Sequence, residues 1–302
     1  MKINIRQRGS QWIKSRLLFL LIVFLVFLCF SACLHAAEKK SDIFHNLRLK
    51  LEQDGFDRET ISRYYSHPRV VFETKAVGRY FQHRESSLNY NQFLTPVSLR
   101  KAENYMQKNR YWLEKAESEY GVDKEIITAI LLVETRLGTF TGNASTLNIL
   151  SSMAALSDPD IREMLWRSQV DKTDMSRADF QKKAVRKAEW AYNELTAFLK
   201  YVDREHIVDP VDISGSYAGA VGISQFMPSN ILTLAVDGDK NGKVDLFTHA
   251  DAIFSVASYL QHHGWKSGLS PEAARKVLFS YNHSTYYVDV LMKLSQMLEK
   301  AQ

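Results

Sequence analysis

The sequence predicts a mainly α-helical protein, and three observations favour this fold class. Apolar residues recur at three- and four-residue spacing over long stretches, as they do on one face of an amphipathic helix. Only six prolines occur among 302 residues, so few helices are interrupted. Alternation of apolar and polar residues, the pattern of a half-buried strand, is almost absent apart from one candidate hairpin around Asn241 and Gly242. The clearest helical stretches are 100–120, 182–202, 251–263 and 287–300.

Residues 1–37 are typical of an export signal. Basic residues precede an unbroken apolar run of 14 residues at 17–30, and small residues follow it. Because a bilayer-spanning helix needs about 20 residues, a cleaved signal is favoured over an uncleaved anchor. The residues up to Cys33 resemble a lipobox, which would leave a lipid anchor on that cysteine, and the alternative is an ordinary cut near Ala36 or Ala37. Either cut predicts a periplasmic or envelope protein that is soluble or lipid-anchored.

The charge of the chain argues against a nucleic-acid partner. There are 39 Lys and Arg residues against 34 Asp and Glu residues, but five of the bases and none of the acids lie in residues 1–37. The rest is therefore balanced, 34 against 34, whereas nucleic-acid recognition usually needs a basic excess. Both cysteines, Cys29 and Cys33, also lie in the signal, so the mature region gains its stability from packing and not from disulfides.

The mature region is predicted to contain a helical N-terminal part at 38–104 and a core at 105–302 that includes a loop at 237–251. Its roughly 265 residues can bury a sizeable hydrophobic core. No interpretable motif falls in the N-terminal part, whereas the residues that suggest chemistry lie between 121 and 290. The core at 105–302 is therefore the predicted functional part.

Glu134 is the first candidate for a catalytic residue. A helix is predicted around it, with Asp123 as its N-cap and Gly138 as its stop. Apolar residues three and four positions earlier place the carboxylate on the buried face. Burial disfavours the charged form of a carboxyl group, which suits a proton donor. The structural alternative is a buried ion pair, or a surface position beside Arg136.

A glycine-containing loop at 216–230 is the second candidate element. Its small residues would let a ligand approach the backbone closely. The polar side chains that could orient a ligand are Ser216, Ser224 and Gln225, and the flat apolar side chains that could pack on a sugar ring are Tyr217 and Phe226. The alternative is a plain turn with a satisfied glutamine, and no spacing of Ser, His and Asp supports a serine hydrolase.

Three motifs together resemble the membrane-bound lytic murein transglycosylase B family: residues 133–138, 219–229 and 281–284. The resemblance covers residues 105–295. It implies a lysozyme-like, mainly helical catalytic core with a small β-hairpin or EF-hand-like loop. It also implies that Glu134 alone protonates the oxygen between N-acetylmuramic acid and N-acetylglucosamine in peptidoglycan. The same carboxylate would then take a proton from the 6-hydroxyl of the muramic acid, which leaves a 1,6-anhydro end without water or a cofactor.

By matching motifs, the resemblance implies that Ser216, Gln225, Tyr281 and Asn282 line the sugar-binding cleft. The chain departs from the family at Leu137, where Trp is frequent, at Ile223-Ser224, where Tyr-Gly is frequent, and at Asn230, where Ser is frequent. Two other functions stay open. One is a lysozyme-type hydrolase that uses water, and the other is a non-catalytic envelope protein that binds peptidoglycan. Peptidoglycan glycan strands are the expected partner in each case.

Residues 237–242 resemble the start of a calcium-binding loop of EF-hand type, with oxygen-bearing side chains at positions one, three and five and Gly at six. Position 12 is Thr248 where a Glu is expected, but the family resembled above closes a longer loop with an Asp, and Asp251 matches it. The ligands of a structural calcium would be Asp237, Asp239, Asn241, the carbonyl of Lys243, and Asp251. The alternative is an Asn-Gly hairpin turn with solvated acids.

Overall fold

The computed structural model describes residues 42–82, 89–170 and 173–301. The predicted export signal lies outside these ranges, and so do Cys33, Ala36 and Ala37. Within the described ranges, no helix is long and apolar enough to span a bilayer. Residues Phe44–Gln302 make up one compact unit, and every predicted site residue belongs to it.

α-Helices dominate the described ranges, which confirms the predicted mainly α fold class. In chain order they are α1 (His45–Gln53), α2 (Arg58–Ser66), α3 (Thr74–Gln82), α4 (Pro96–Lys108), α5 (Arg110–Tyr120), α6 (Lys124–Thr135), α7 (Thr146–Ala154), α8 (Pro159–Leu165), α9 (Arg177–Arg204), α10 (Pro228–Leu234), α11 (His249–His262), α12 (Pro271–Tyr281) and α13 (Thr285–Lys300). Short helical turns of other types lie at Tyr90–Phe93, Ala155–Ser157, Trp166–Val170 and Pro210–Asp212.

Helices α4 and α5 occupy the stretch 100–120, where the periodicity predicts one helix. They meet at Asn109, which is buried and whose side-chain amide donates to the carbonyl of Tyr105 at 3.1 Å. Asparagine side chains compete in this way with the backbone bonds that continue a helix. Helix α4 runs through position 104 without a break. The division of the mature region at that residue stays a prediction.

Helix α6 is the central helix of the fold. Its residues 126–132 are at most 3% exposed, because α4, α5, α11 and α13 pack around it. It begins after Asp123, as predicted, although that carboxylate makes no capping bond and accepts a hydrogen bond from the indole of Trp265 at 3.2 Å. The helix ends at Thr135, ahead of the predicted stop at Gly138. It thus brings Glu134 to the edge of the core.

Two short strands pair antiparallel, β1 (Ala144–Ser145) and β2 (Ser214–Gly215). The hairpin predicted around residues 241 and 242 does not form paired strands, and residues 236–248 make a loop of turns. A physical reason lies in the acidic side chains, because the carboxylate of Asp237 accepts the backbone N–H groups of Asn241 and Gly242 at 3.1 and 2.7 Å. Those groups are not free to form a strand ladder.

The N-terminal helices dock on α7, in which every residue is buried. The hydroxyl of Tyr65 lies 2.7 Å from that of Ser151, and the backbone N–H of Glu73 donates to the hydroxyl of Ser152 at 2.8 Å. Helix α9 covers α7 from another side. The helices before residue 83 therefore pack on the predicted core region and form part of the same hydrophobic core.

Candidate active site

Glu134 is half-buried at the end of α6, where a tyrosine from a distant helix holds it. The hydroxyl of Tyr287, in the first turn of α13, donates to Oε1 of Glu134 at 2.7 Å. The ring of Tyr281 stacks parallel to that of Tyr287 with 6.5 Å between centroids. Burial above all, and then the charge of Glu134, raise the pKa of both hydroxyls well above their ordinary value of 10. Both tyrosines therefore remain neutral hydrogen-bond donors beside the carboxylate.

The turn that follows Glu134 contains three consecutive residues in the left-handed region. Arg136, Leu137 and Gly138 have φ angles of 51°, 64° and 83°. Only glycine adopts this region freely, and other residues lose about 1–2 kcal/mol there. The guanidinium of Arg136 donates to the side-chain amide oxygen of Gln92 at 3.2 Å. This hydrogen-bond partner of Arg136 is an amide and not a buried carboxylate. Backbone strain of this kind is concentrated at functional sites.

Thr135 fastens the strained turn to the glycine-containing loop. Its hydroxyl accepts the backbone N–H of Gly138 at 2.9 Å and donates to the carbonyl of Ile223 at 2.9 Å. From the other side, the hydroxyl of Tyr281 donates to the carbonyl of Ser224 at 2.5 Å. The loop is therefore held between the end of α6 and the end of α12.

Gln225 lies in this loop with a left-handed backbone, φ 52°. Its side-chain amide donates to the carbonyls of Thr141 and Gly222 at 3.2 and 2.8 Å. Close packing explains the glycine at 222, because a Cβ atom there would lie 2.4 Å from that of Leu246. The structure thus brings Gln225 next to the turn that follows Glu134.

Of the remaining predicted cleft residues, Ser216 and Tyr217 begin this loop and Asn282 lies at the end of α12. The hydroxyl oxygen of Ser216 accepts the backbone N–H groups of Ala218 and Ala220 at 3.3 and 3.0 Å, so it also shapes the turn. Tyr217 is 40% exposed, and its ring lies 6.3 Å from that of Tyr80 on α3. Asn282 is half-buried and follows the last residue of α12 directly.

The prediction that Phe226 packs on a sugar ring is wrong. Its side chain is only 2% exposed, and its ring packs against those of Tyr259 and Tyr281 at 5.6 and 6.1 Å. Phe226 therefore supports Tyr281 from inside the core. Ser224 is also fully buried, so its hydroxyl does not reach a ligand, and its carbonyl makes the contact described above.

Tyr287 is the residue of this site that the motifs do not indicate. It is 1% exposed and shares the buried face of α13 with Leu291 and Leu294. This spacing of four and three residues could have placed it on the core side. A buried tyrosine hydroxyl usually finds a partner, but the sequence does not reveal that the partner is Glu134.

The predicted cation loop gathers three carboxylates. Asp237, Asp239 and Asp251 each offer an oxygen within 4.8 Å of the others. Asp251 is fully buried in the first turn of α11 and accepts the backbone N–H groups of Gly238 and Asp245 at 2.9 and 2.7 Å. Burial first, and then the charges of the other two acids, raise the pKa of Asp251. An oxygen-only set of donors around a buried carboxylate suits a hard cation such as Ca²⁺.

The other two predicted ligands lie in the same loop. The side-chain oxygen of Asn241 accepts the backbone N–H of Lys243 at 2.9 Å, and both residues are exposed. Thr248, which stands where an EF-hand would have Glu, instead caps α11 by accepting the backbone N–H of Asp251 at 3.4 Å. This loop also bonds to the glycine-containing loop, because Ile223 donates its backbone N–H to the carbonyl of Leu246 at 2.8 Å.

Comparison with known proteins gives one family. A family model described as the transglycosylase SLT domain matches residues 39–276. The membrane-bound lytic murein transglycosylase B of Escherichia coli K12 is 33% identical over 176 residues, which are 58% of this chain and 41% of that protein. The chain thus spans about two fifths of the length of this curated relative.

Three solved structures share the fold. Soluble lytic transglycosylase SltB1 from Pseudomonas aeruginosa has a TM-score of 0.69 at 23% identity, covering 85% of this chain and 98% of that one. Escherichia coli Slt35 in complex with calcium has a TM-score of 0.67 at 23% identity, covering 87% and 94%. Pseudomonas aeruginosa SltB3 in complex with NAG-anhNAM-pentapeptide has a TM-score of 0.67 at 20% identity, covering 85% and 79%. These likenesses confirm the lysozyme-like, mainly helical architecture.

Proposed function

Because the chain belongs to the transglycosylase SLT domain family, we propose that it is a lytic transglycosylase of the bacterial cell wall. It would cleave the β-1,4 bond between N-acetylmuramic acid and N-acetylglucosamine without water and leave 1,6-anhydromuramoyl ends. Two relatives support this substrate. One is named a lytic murein transglycosylase, and the structure of another contains NAG-anhNAM-pentapeptide.

The observation that carries the proposal is the setting of Glu134. Its carboxyl group stands at the end of an apolar helix, beside the glycine-containing loop, and is held by the neutral hydroxyl of Tyr287 at 2.7 Å. Ordinary glycosidases need a second carboxylate at a defined separation, whereas a transglycosylase of this type needs one. The side chains of Tyr287, Tyr281 and Gln225, which belong to this site, are uncharged.

In the proposed reaction, Glu134 first donates its proton to the glycosidic oxygen, and the bond from that oxygen to the anomeric carbon breaks. The acetamido group of the muramic acid would stabilise the resulting cation. The Glu134 carboxylate then takes the proton of the 6-hydroxyl as that oxygen bonds to the anomeric carbon. The glutamate returns to its starting state, so one group acts as acid and then as base. Ser216, Tyr217, Gln225, Tyr281 and Asn282 would position the sugars.

Mass spectrometry of muropeptides released from purified peptidoglycan tests the proposal. The mature protein should release products lighter by one water than hydrolytic ones, and Glu134→Gln should fold normally and release none. Products with reducing ends from the parent protein would assign it to the lysozyme-type hydrolases. Binding to peptidoglycan without any product would favour the non-catalytic envelope protein.

We also propose a structural calcium ion held by Asp237, Asp239, Asn241, the carbonyl of Lys243, and Asp251. The buried, raised-pKa carboxylate of Asp251 supports this site, and the related Slt35 was solved in complex with calcium. The ion would neutralise the three acids and stiffen their loop. That loop bonds to the glycine-containing loop, because the carbonyl of Leu246 accepts the backbone N–H of Ile223 at 2.8 Å. It would take no part in proton transfer.

Calcium is expected to raise the Tm of the protein, because it binds the native state. Asp239→Asn should abolish this shift and leave the apo protein folded, since an asparagine oxygen can still accept the N–H that Asp239 accepts from Asn241. The matched control is Asp160→Asn, on the remote helix α8. Differential scanning fluorimetry with and without calcium measures both. An undiminished shift in Asp239→Asn would contradict the site.

The proposed location is the periplasm or cell envelope. The relative is named membrane-bound, and either a lipid anchor on Cys33 or a soluble form would account for an envelope enzyme. The mass of the N-terminal peptide from the native host distinguishes a lipidated Cys33 from a cut near Ala36 or Ala37.

A further inference from the structure

Phe140 is an exposed aromatic residue in the turn beside the candidate catalytic carboxylate. Its side chain is 61% exposed, and no other ring contacts it among the described residues. Its backbone N–H donates to the carbonyl of Thr135 at 3.0 Å, and Thr135 directly follows Glu134 in the chain. Single exposed apolar residues are common, so the position of Phe140, and not its exposure alone, carries the inference.

The turn that bears Phe140 is fixed on both sides of the ring. Before it, the hydroxyl of Thr139 donates to the carbonyl of Arg136 at 3.0 Å. After it, the carbonyl of Thr141 accepts the side-chain amide of Gln225 at 3.2 Å. A group held in this way loses little further freedom when it binds a ligand. The aromatic ring is thus presented on an ordered backbone between Glu134 and a predicted substrate-binding glutamine.

Phe140 and Tyr217 lie on two neighbouring turns. Gly142, on the turn that bears Phe140, packs tightly against the turn that bears Tyr217. A Cβ atom on Gly142 would come within 2.0 Å of the carbonyl oxygen of Gly215. Each aromatic residue is two positions from one of these glycines, a reach of at most about 7 Å along the chain. Both exposed aromatic residues therefore lie close to the contact between Gly142 and Gly215, and the pairing of β1 with β2 continues that contact.

We propose that Phe140 is a substrate-contacting residue whose ring stacks on the apolar face of an N-acetylhexosamine of the bound glycan. The proposal rests on the function proposed above and adds a contact beside the scissile bond. Aromatic rings prefer flat apolar partners, and the CH face of a pyranose is one. The contact would act on the affinity for the strand and not on proton transfer, because the phenyl ring has no exchangeable proton.

The test uses the mature protein with Glu134→Gln, so that the glycan stays intact, and soluble glycan strands without stem peptides as the probe. Isothermal titration calorimetry should show that Phe140→Ala weakens binding by about three- to tenfold. Phe140→Tyr should restore the parent affinity. Tyr111→Ala, which removes an equally exposed ring from α5 (64% exposed), should leave it unchanged. With Glu134 intact, Phe140→Ala should raise KM and leave kcat close to the parent value.

Two failures are distinguishable. If the parent cleaves peptidoglycan and Phe140→Ala binds the strands as tightly as the parent, the assignment of Phe140 is overturned and the proposed function stands. If the protein with Glu134 intact releases no product and Glu134→Gln binds no glycan, both proposals fall. A loss of binding that Phe140→Tyr does not restore, with unchanged Tm, would also overturn the stacking contact.

Discussion

The hydroxyl of Tyr287 donates to Oε1 of Glu134 at 2.7 Å and so helps to orient the carboxyl group. A hydrogen bond from this hydroxyl stabilises the carboxylate more than the carboxylic acid. Tyr287→Phe keeps the ring and removes the bond. We expect it to lower kcat for glycan cleavage by about tenfold to a hundredfold and to shift the pH–rate profile toward higher pH, since the acid form then persists further. The measurement is kcat against pH on purified glycan strands.

The neighbouring Tyr286 provides the control, because it is 61% exposed. Tyr286→Phe removes the same atom one residue away and should leave the profile in place. A Tyr287→Phe enzyme with the parent profile would mean that the bond seen at Oε1 has no part in the reaction.

At the scale of single residues, the helical position of Glu134 and three motifs make it the candidate catalytic residue, and that assignment stays a prediction. Tyr287 was missed because its role depends on a contact across 153 positions of the chain. Phe226 was misassigned for the opposite reason. Residue type shows that a flat apolar ring is present, but only packing decides whether that ring faces a ligand or the core.

At the scale of elements, helix α10 takes its N-terminal partner from α9. Met227 at the N-cap makes no side-chain bond, and the buried carboxylate of Glu194 instead accepts the backbone N–H and the hydroxyl of Ser229, both at 2.9 Å. A negative group suits a helix N-terminus. Glu194→Ala is expected to lower the free energy of unfolding by about 1–2 kcal/mol, as the loss of a cap does.

Urea unfolding measures this change. Glu189→Ala, at an exposed position of the same helix, should alter the free energy of unfolding little, and equal effects of the two substitutions would contradict the capping role. Periodicity alone does not distinguish these two acids. Such a tertiary cap is invisible in the sequence, because the acceptor and its helix belong to different elements.

Helix α1 is fastened to α9 through Asp54. Its carboxylate accepts hydrogen bonds from the hydroxyl of Tyr192 at 2.6 Å and from Lys50 at 2.9 Å. These bonds, that of Tyr192 first, lower the pKa of Asp54 below its ordinary value of 3.8. A lowered folded-state pKa adds stability above the unfolded value, and this stability is lost as the pH falls through the folded value.

Asp54→Asn should therefore lower the Tm at pH 7 by a small amount, and the difference should shrink as the pH falls below the ordinary value of 3.8. Tm values of parent and variant across this range measure it. A difference that stays constant down to pH 3 would show that the charge of Asp54 is not what fastens the helix.

At the scale of the whole molecule, the N-terminal helices and the core share α7. Every residue of α7 is buried, and Ser151 and Ser152 take their partners from the N-terminal part. We expect residues 42–301 to unfold in one transition, with equal calorimetric and van't Hoff enthalpies. Two transitions in scanning calorimetry would support independent parts divided near residue 104.

The arrangement of the whole molecule can be predicted from the sequence only in part. The helical class, the family and the order of the motifs followed from periodicity and from residues 133–138, 219–229 and 281–284. The docking of the N-terminal helices on α7 does not follow from the sequence, because it depends on single hydroxyl and amide contacts that no sequence pattern indicates. Sequence motifs indicate residues with a chemical role, whereas composition gives little information about packing between segments that are far apart in the chain.

The separation of Glu134 from Tyr287 also has a consequence for biosynthesis. A nascent chain carries the carboxylate 153 residues before the hydroxyl that holds it. During synthesis, the chain therefore contains its acid long before α13 can fold against α6. A ribosome that stalls within this interval would release a polypeptide that cannot assemble the site. On the mechanism proposed here, the order of the sequence itself withholds wall-cleaving activity until the chain has been made at least to Tyr287.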